Sequence, residues 1–352
     1  MTSGRQPLAY PHRLQAGSTC RLVSPASGMA GRPEIRHRLV RAIRFLRSLG
    51  LQVRLGRHAL TTTGNTAGTA QVRADDLNAS FADPRTDIIV SMIGGNFVCH
   101  EILPYLDYAA MHRTPKILMG YSDITALLLA IHRRTGLVVF YGPAVLPTFG
   151  DYPTVLSYTT EHFVRATFDP RPLGPLNPAP TWTDEFLDWF TQADSRRPRR
   201  LVPNAGWQWL QPGRAHGRLI GGCIQVLADM VRRSVDEIPP MDGALLFWES
   251  AEKNVSEPHD ATTVARDLAT LRDAGILRQI TGMIVGRPYG YSRQMCVDLR
   301  RQLCDVLGRP EIPVLFGADL GHTDPMLTLP IGVQSTLDSD LDRWSIDEPA
   351  VL

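Results

Sequence analysis

Lysine is nearly missing from this chain: it occurs only at Lys116 and Lys253. Almost all positive charge is therefore arginine, a usage expected of base composition more than of function. An excess of one sign is missing too, since 37 basic residues stand against 35 acidic ones. That balance leaves no global field to draw the protein to nucleic acid or an anionic membrane; a local patch would be needed for either. The five cysteines (Cys20, Cys99, Cys223, Cys296, Cys304) are scattered with no C-x-x-C pair, which excludes the common zinc and dithiol spacings and fits reduced thiols. No apolar run approaches the ~20 residues of a membrane span, and no signal-peptide h-region precedes the polar stretch 15–19. A soluble, cytoplasmic protein is expected. What is present, 43% apolar and 20% charged residues over 352 positions, is enough for substantial cores and more chain than one core usually takes, so two domains are expected.

Short apolar runs alternate with helical periodicity through the first half. Strands are predicted at 20–23, 51–55, 87–93, 116–119 and 137–141, and helices at 33–49, 75–81, 101–112 and 123–134. This pitch argues a parallel α/β sheet covered on both faces. Residues 150–213 change character: they are proline-rich and hold Trp182, Trp189, Trp207 and Trp209 and the basic cluster Arg196, Arg197, Arg199, Arg200. The stretch reads as a linker with a site-covering loop. Strands at 243–248, 280–285 and 312–316 and helices at 262–274 and 293–307 then indicate a second, smaller α/β domain. The expected partition is 1–165, a linker at 166–213, and 214–352.

The sharpest local signal is Gly120-Tyr121-Ser122-Asp123 between an apolar strand and a helix. A serine on so tight a turn stands above the sheet edge over a helix N-terminus, the placement of a nucleophile elbow, although Ile124 replaces the last glycine of G-x-S-x-G. Helix capping by Ser122 explains the same residues about equally well. A serine nucleophile needs a base and an orienting carboxylate. Glu249 and His322 both follow predicted strands, at the edge where α/β proteins bind ligands; a solvated acid and a structural histidine are the alternative readings. Gly94-Gly95 and the Asp123 amide could donate to an oxyanion. A dinucleotide or phosphate loop at Gly94-Gly95 lacks both the G-x-G-x-x-G spacing and a Walker lysine.

The runs Ile-Gly-Gly-Asn (93–96), Leu-Pro-Tyr-Leu-Asp-Tyr (103–108), Pro-Lys-Ile-Leu-Met-Gly-Tyr-Ser-Asp-Ile-Thr-Ala-Leu (115–127), Arg-Thr-Gly-Leu (134–137), Tyr-Gly-Pro (141–143), Gly-His-Thr-Asp-Pro (321–325) and Leu-Pro-Ile-Gly (329–332) resemble the LD-carboxypeptidase family of serine peptidases. More narrowly, the chain resembles the family's microcin C self-immunity branch. The resemblance implies a flavodoxin-like N-terminal domain, a smaller C-terminal domain, and a triad of Ser122 as nucleophile, Glu249 as orienting carboxylate and His322 as base and acid. It further implies oxyanion amides at Gly95 and Asp123, no metal or organic cofactor, a cytoplasmic location and a homodimer. Gly94-Gly95-Asn96, in place of the Arg-Gly-Gly opening typical of the murein enzymes, points to hydrolysis of an aminoacyl or peptidyl group from a nucleotide-like moiety. Murein tetrapeptide carboxypeptidase is the alternative, and a non-catalytic binder of aminoacyl-adenylate-like compounds the second. Gly94 and Asn96 are candidate substrate contacts, as is Lys253, which matches a basic position of the immunity branch; Trp182 and Trp189 are candidates to stack on an adenine. Cys223 stands where the family commonly has asparagine, a departure bearing on the substrate.

Overall fold

The computed structural model describes residues 7–255 and 257–352. Five parallel strands form most of a first sheet: β1 (Thr19–Val23), β2 (Gln52–Leu55), β3 (Thr86–Ser91), β4 (Ile117–Gly120) and β5 (Val139–Tyr141), in spatial order β2-β1-β3-β4-β5. This is the flavodoxin-like order. Every residue of β4 and β5 is buried, as parallel strands covered on both faces require, so the apolar runs carry no alternation.

The helices depart from prediction where capping chemistry decides. The first begins as a 3-10 turn at Pro33–Ile35 and is α-helical over Arg36–Ser48. The second runs longer than its apolar pattern, over Ala70–Ala82, because the Thr69 side chain accepts the Val72 N–H and starts it early. The predicted helix 101–112 is two elements, a 3-10 segment Cys99–Tyr105 containing Pro104 and a helix Tyr108–Arg113. Proline removes an N–H inside the first, and the Asp107 carboxylate starts the second by accepting the Ala110 N–H.

The second sheet has eight strands in the order Gly174–Leu176, Arg343–Ile346, Gln334–Asp338, Arg214–Cys223, Leu245–Glu249, Gly282–Gly286, Val314–Ala318, Gln208–Gln211. The four from Arg214–Cys223 to Val314–Ala318 are mutually parallel, and antiparallel neighbours flank them on both sides. Helices Ile224–Ser234, Ala261–Asp273 and Arg293–Leu307 accompany this sheet.

The chain crosses the expected partition three times. Helix Ser157–Phe168 runs through residue 165. Gly174–Leu176 and Gln208–Gln211, from the expected linker, form the two edges of the second sheet. Leu329–Ile331 leaves the C-terminal half to pair antiparallel with β5 at the edge of the first sheet. Pro175 and Pro330 sit in two of these strands; an edge position tolerates the missing N–H, and proline-containing triplets carry no strand signature in sequence. Among the described residues no helix is long and apolar enough to cross a membrane.

Candidate active site

The first sheet delivers Ser122. Just beyond β4 its backbone turns into the left-handed region, at φ +63°, which non-glycine residues rarely adopt and which costs about 1–2 kcal/mol. Helix Ile124–Thr135 starts at once. Neither Ser122 nor Asp123 caps it with a side chain, so capping does not explain the serine. The Asp123 carboxylate instead accepts the N–H groups of Val98 (3.0 Å) and Cys99 (3.1 Å), tying the elbow to the Gly94-Gly95-Asn96 loop. Burial raises the Asp123 carboxyl above its usual range against the pull of those two N–H donors. The loop passes very close to the serine: a Cβ on Gly94 would lie 2.9 Å from Ser122 Cβ, so only glycine fits there. The backbone N–H groups of Gly95 and Asp123 are engaged by no acceptor among the described residues, which leaves both able to meet an oxyanion.

The second sheet delivers the acid. Glu249 ends its strand fully buried, and both carboxylate oxygens are used. Oε2 lies 2.8 Å from His322 Nδ1, while Oε1 accepts the Tyr141 hydroxyl at 2.5 Å. The same phenolic oxygen accepts the Ser122 N–H at 3.3 Å, so Tyr141, the last residue of β5, connects the elbow to the acid. The segment carrying His322 crosses Glu249 at Gly321, whose φ is +91°. A Cβ there would stand 2.3 Å from Glu249 Cγ, so any other residue would push His322 off its partner.

His322 Nε2 and Ser122 share the wall of one cavity of about 750 Å³. No hydrogen bond joins Nε2 to the Ser122 hydroxyl among the described residues; Nε2 lies 3.6 Å from Glu252 Oε2. Catalytic contacts of this kind commonly tighten only when substrate arrives. Burial pushes the imidazole down, but the carboxylates of Glu249, Glu252 and Asp324 outweigh it and raise the pKa to about 9. The surrounding carboxylates therefore favour the imidazolium in the substrate-free site. Given a neutral imidazole, the arrangement can activate an alcohol and stabilise the oxyanion it creates.

Residues between 184 and 199 form part of the cavity wall. Trp189, Phe186 and Phe190 line the cavity, and the Arg38 guanidinium lies 4.2 Å from the Trp189 ring centroid. Arg199 joins this wall to the histidine: it bonds Asp151 and Asp324, each at 2.7 Å, while Thr183 and Asp324 exchange backbone hydrogen bonds of 2.7 and 2.9 Å. Within the basic cluster, Arg199 is held in ion pairs with Asp151 and Asp324 and Arg197 by Glu185.

Of the sequence-predicted residues, the structure brings Ser122, Gly94, Gly95, Asn96, Trp189 and His322 to the cavity wall, with Glu249 directly behind His322. Two expectations, Trp182 and Lys253, need correction. Trp182 does not line the cavity; it packs under Arg287, whose guanidinium is 4.6 Å from its ring. Lys253 is turned away and pairs with Glu257 at 3.3 Å, because alternation along the strand Glu252–Asn254 sends Glu252 inward instead. Cys223 is buried with its sulfur 3.2 Å from Gln225 Oε1, away from the cavity. Sequence reasoning missed Tyr141 and Glu252. Tyr141 could have been found by the rule that exposed Glu249, as a polar group at the C-terminal end of a central strand.

The chain matches known proteins along most of its length. Residues 20–142 match the model of the LD-carboxypeptidase N-terminal domain, and residues 216–337 that of the C-terminal domain. The chain is 33% identical over 319 residues to the microcin C7 self-immunity protein MccF of Escherichia coli, covering 89% of each. It is 27% identical over 327 residues to the murein tetrapeptide carboxypeptidase of Pseudomonas aeruginosa, covering 92% of this chain and 94% of the relative. A solved structure of MccF with aspartyl sulfamoyl adenosine superposes with a TM-score of 0.86 at 31% identity, covering 98% of this chain and all of the other.

Proposed function

This chain belongs to the LD-carboxypeptidase family and is a serine carboxypeptidase-type enzyme; from that premise we propose that it hydrolyses the bond joining an aminoacyl or peptidyl group to a nucleotide-like moiety. The observation that carries this reading is a single cavity whose lining includes both Ser122 and His322 and the aromatic side chains of Trp189, Phe186 and Phe190. Stacking one base on an aromatic side chain contributes about 1–3 kcal/mol and tolerates any base. Ser122 and His322 suit acyl transfer, and the aromatic side chains suit a flat leaving group. Solved structures of a relative with aminoacyl sulfamoyl nucleotides in place support the same pairing.

In this mechanism Ser122 Oγ attacks the scissile carbonyl as His322 Nε2 takes its proton. The N–H groups of Gly95 and Asp123 hold the oxyanion. Collapse expels the nucleotide-bearing nitrogen, protonated by His322, and a water activated by the same imidazole then releases the acyl group. Glu249 fixes the Nδ1–H tautomer throughout, and Gly94 and Asn96 line the approach to the carbonyl. The test compares amino-acid release from an aminoacyl sulfamoyl adenosine with D-alanine release from a murein tetrapeptide under identical conditions. Faster turnover of the adenosine compound is expected. Turnover of the tetrapeptide alone would favour a murein carboxypeptidase, and turnover of neither, with stoichiometric binding, a binding protein.

A further inference from the structure

Glu252 has no part in the mechanism above, yet it faces the reacting atoms. It opens the strand Glu252–Asn254, which pairs with Glu257–Pro258 in a hairpin, and it lines the cavity beside Tyr121, Ser122, Tyr289 and His322. Its Oε2 is buried without a hydrogen-bond partner and lies 3.6 Å from His322 Nε2, the nitrogen that must serve the serine. Among the described residues, the cavity-lining Arg199 and the neighbouring Lys253 are both already paired. Both terminal nitrogens of Arg199 are taken by Asp151 and Asp324, and Lys253 is turned onto Glu257. His259 has its pKa lowered, first by burial.

We propose that Glu252 is a specificity residue: its carboxylate receives a cationic amino group carried by the acyl half of the substrate, next to the scissile carbonyl. The inference rests on the hydrolase reading. A general base must be neutral to act. Once His322 loses its proton, the buried Oε2 of Glu252 is left without its charged partner, in a site that also holds the carboxylates of Glu249 and Asp324. An ammonium on the substrate supplies the missing charge at the moment it is needed. By linkage the same ammonium favours the neutral imidazole, because it replaces the imidazolium as the partner of Glu252. The groups facing His322 from each packed element are Glu249, Glu252, Asp324 and the Tyr121 ring, and Glu252 is the one that substrate can reach through the cavity.

The test uses an aminoacyl sulfamoyl adenosine and its desamino analogue, which lacks only the α-amino group, with wild-type protein and Glu252→Gln. Wild type is expected to favour the amino compound in kcat/KM by about tenfold or more, the scale of a hydrogen bond to a charged group. Glu252→Gln should bring the ratio close to one while still hydrolysing the desamino compound, and Glu252→Asp should restore part of it. The acidic limb of kcat for wild type should lie at lower pH with the amino compound than with its analogue. Equal kcat/KM for the two compounds in wild type, or a preference that survives in Glu252→Gln, would overturn the inference and leave the hydrolase reading intact. Turnover of neither compound would count against the hydrolase reading instead; calorimetric binding of the pair to Ser122→Ala then reads the preference without chemistry, and equal affinities would overturn it.

Discussion

Replacing Tyr141 with phenylalanine removes one oxygen atom from a fully buried ring, and the structure sets how much that atom is worth. The ring keeps its contacts with Phe247 and Tyr121, whose centroids are 5.4 and 6.4 Å away, so the packing loss is small. What disappears is the 2.5 Å hydrogen bond to Glu249 Oε1 and the acceptor for the Ser122 N–H. A hydrogen bond to a charged group contributes about 1.5–3 kcal/mol, and a buried carboxylate oxygen without a donor bears the full desolvation cost. Expressed in the transition state, that range is about a 10- to 100-fold fall in kcat. The direction of the pH effect follows as well. Without the tyrosine donor more of the Glu249 charge acts on His322, whose pKa is already raised to about 9; a further rise leaves less neutral base at a given pH and moves the acidic limb upward. Steady-state kinetics from pH 6 to 10 together with denaturant midpoints read all three quantities. A variant with wild-type kcat, pH profile and stability would refute the role assigned to Tyr141.

The elbow gives a second prediction. Ser122→Ala and Ser122→Gly should both be inactive, but the glycine variant should be more stable by about 0.5–1 kcal/mol, because relief of the strained φ exceeds the entropy that glycine adds to the unfolded chain; equal or lower denaturant stability for glycine would contradict a strained serine. In the cavity lining, Trp189→Ala should raise KM about 5- to 100-fold with little change in kcat, the scale of one base stacked on an aromatic ring. Trp182→Ala should lose stability through its contact with Arg287 while KM stays near wild type; matching KM increases in the two would overturn the separation between them.

The legibility of this protein in its sequence follows the range of the forces involved. Residues 88–93 and 117–119 announce buried parallel strands because burial on both faces demands unbroken apolar runs. Ser122, Glu249 and His322 were legible because a strand end puts a polar side chain where ligands bind, even though the segments lie far apart in the chain. The edge strands Gly174–Leu176, Gln208–Gln211 and Leu329–Ile331 were not, since a three- or four-residue edge is defined by its partner and not by its own pattern. The tryptophans show the same limit from another side. Trp182 and Trp189 are equally aromatic and seven positions apart, yet one packs on Arg287 and the other lines the cavity, a difference set by pairings with residues more than a hundred positions distant. For Lys253 the resemblance named a charged position, and strand alternation then exchanged it for its neighbour Glu252.

The central claim is that the Ser122 hydroxyl becomes the attacking group once His322, held by Glu249, accepts its proton. Rapid quenching of the protein with an aminoacyl sulfamoyl adenosine, followed by mass mapping of its peptides, tests this directly. The account predicts an added aminoacyl mass on the peptide containing Ser122, absent in Ser122→Ala and greatly reduced in His322→Ala. Release of the amino acid by Ser122→Ala at the wild-type rate, or an acyl group trapped on another residue, would contradict it.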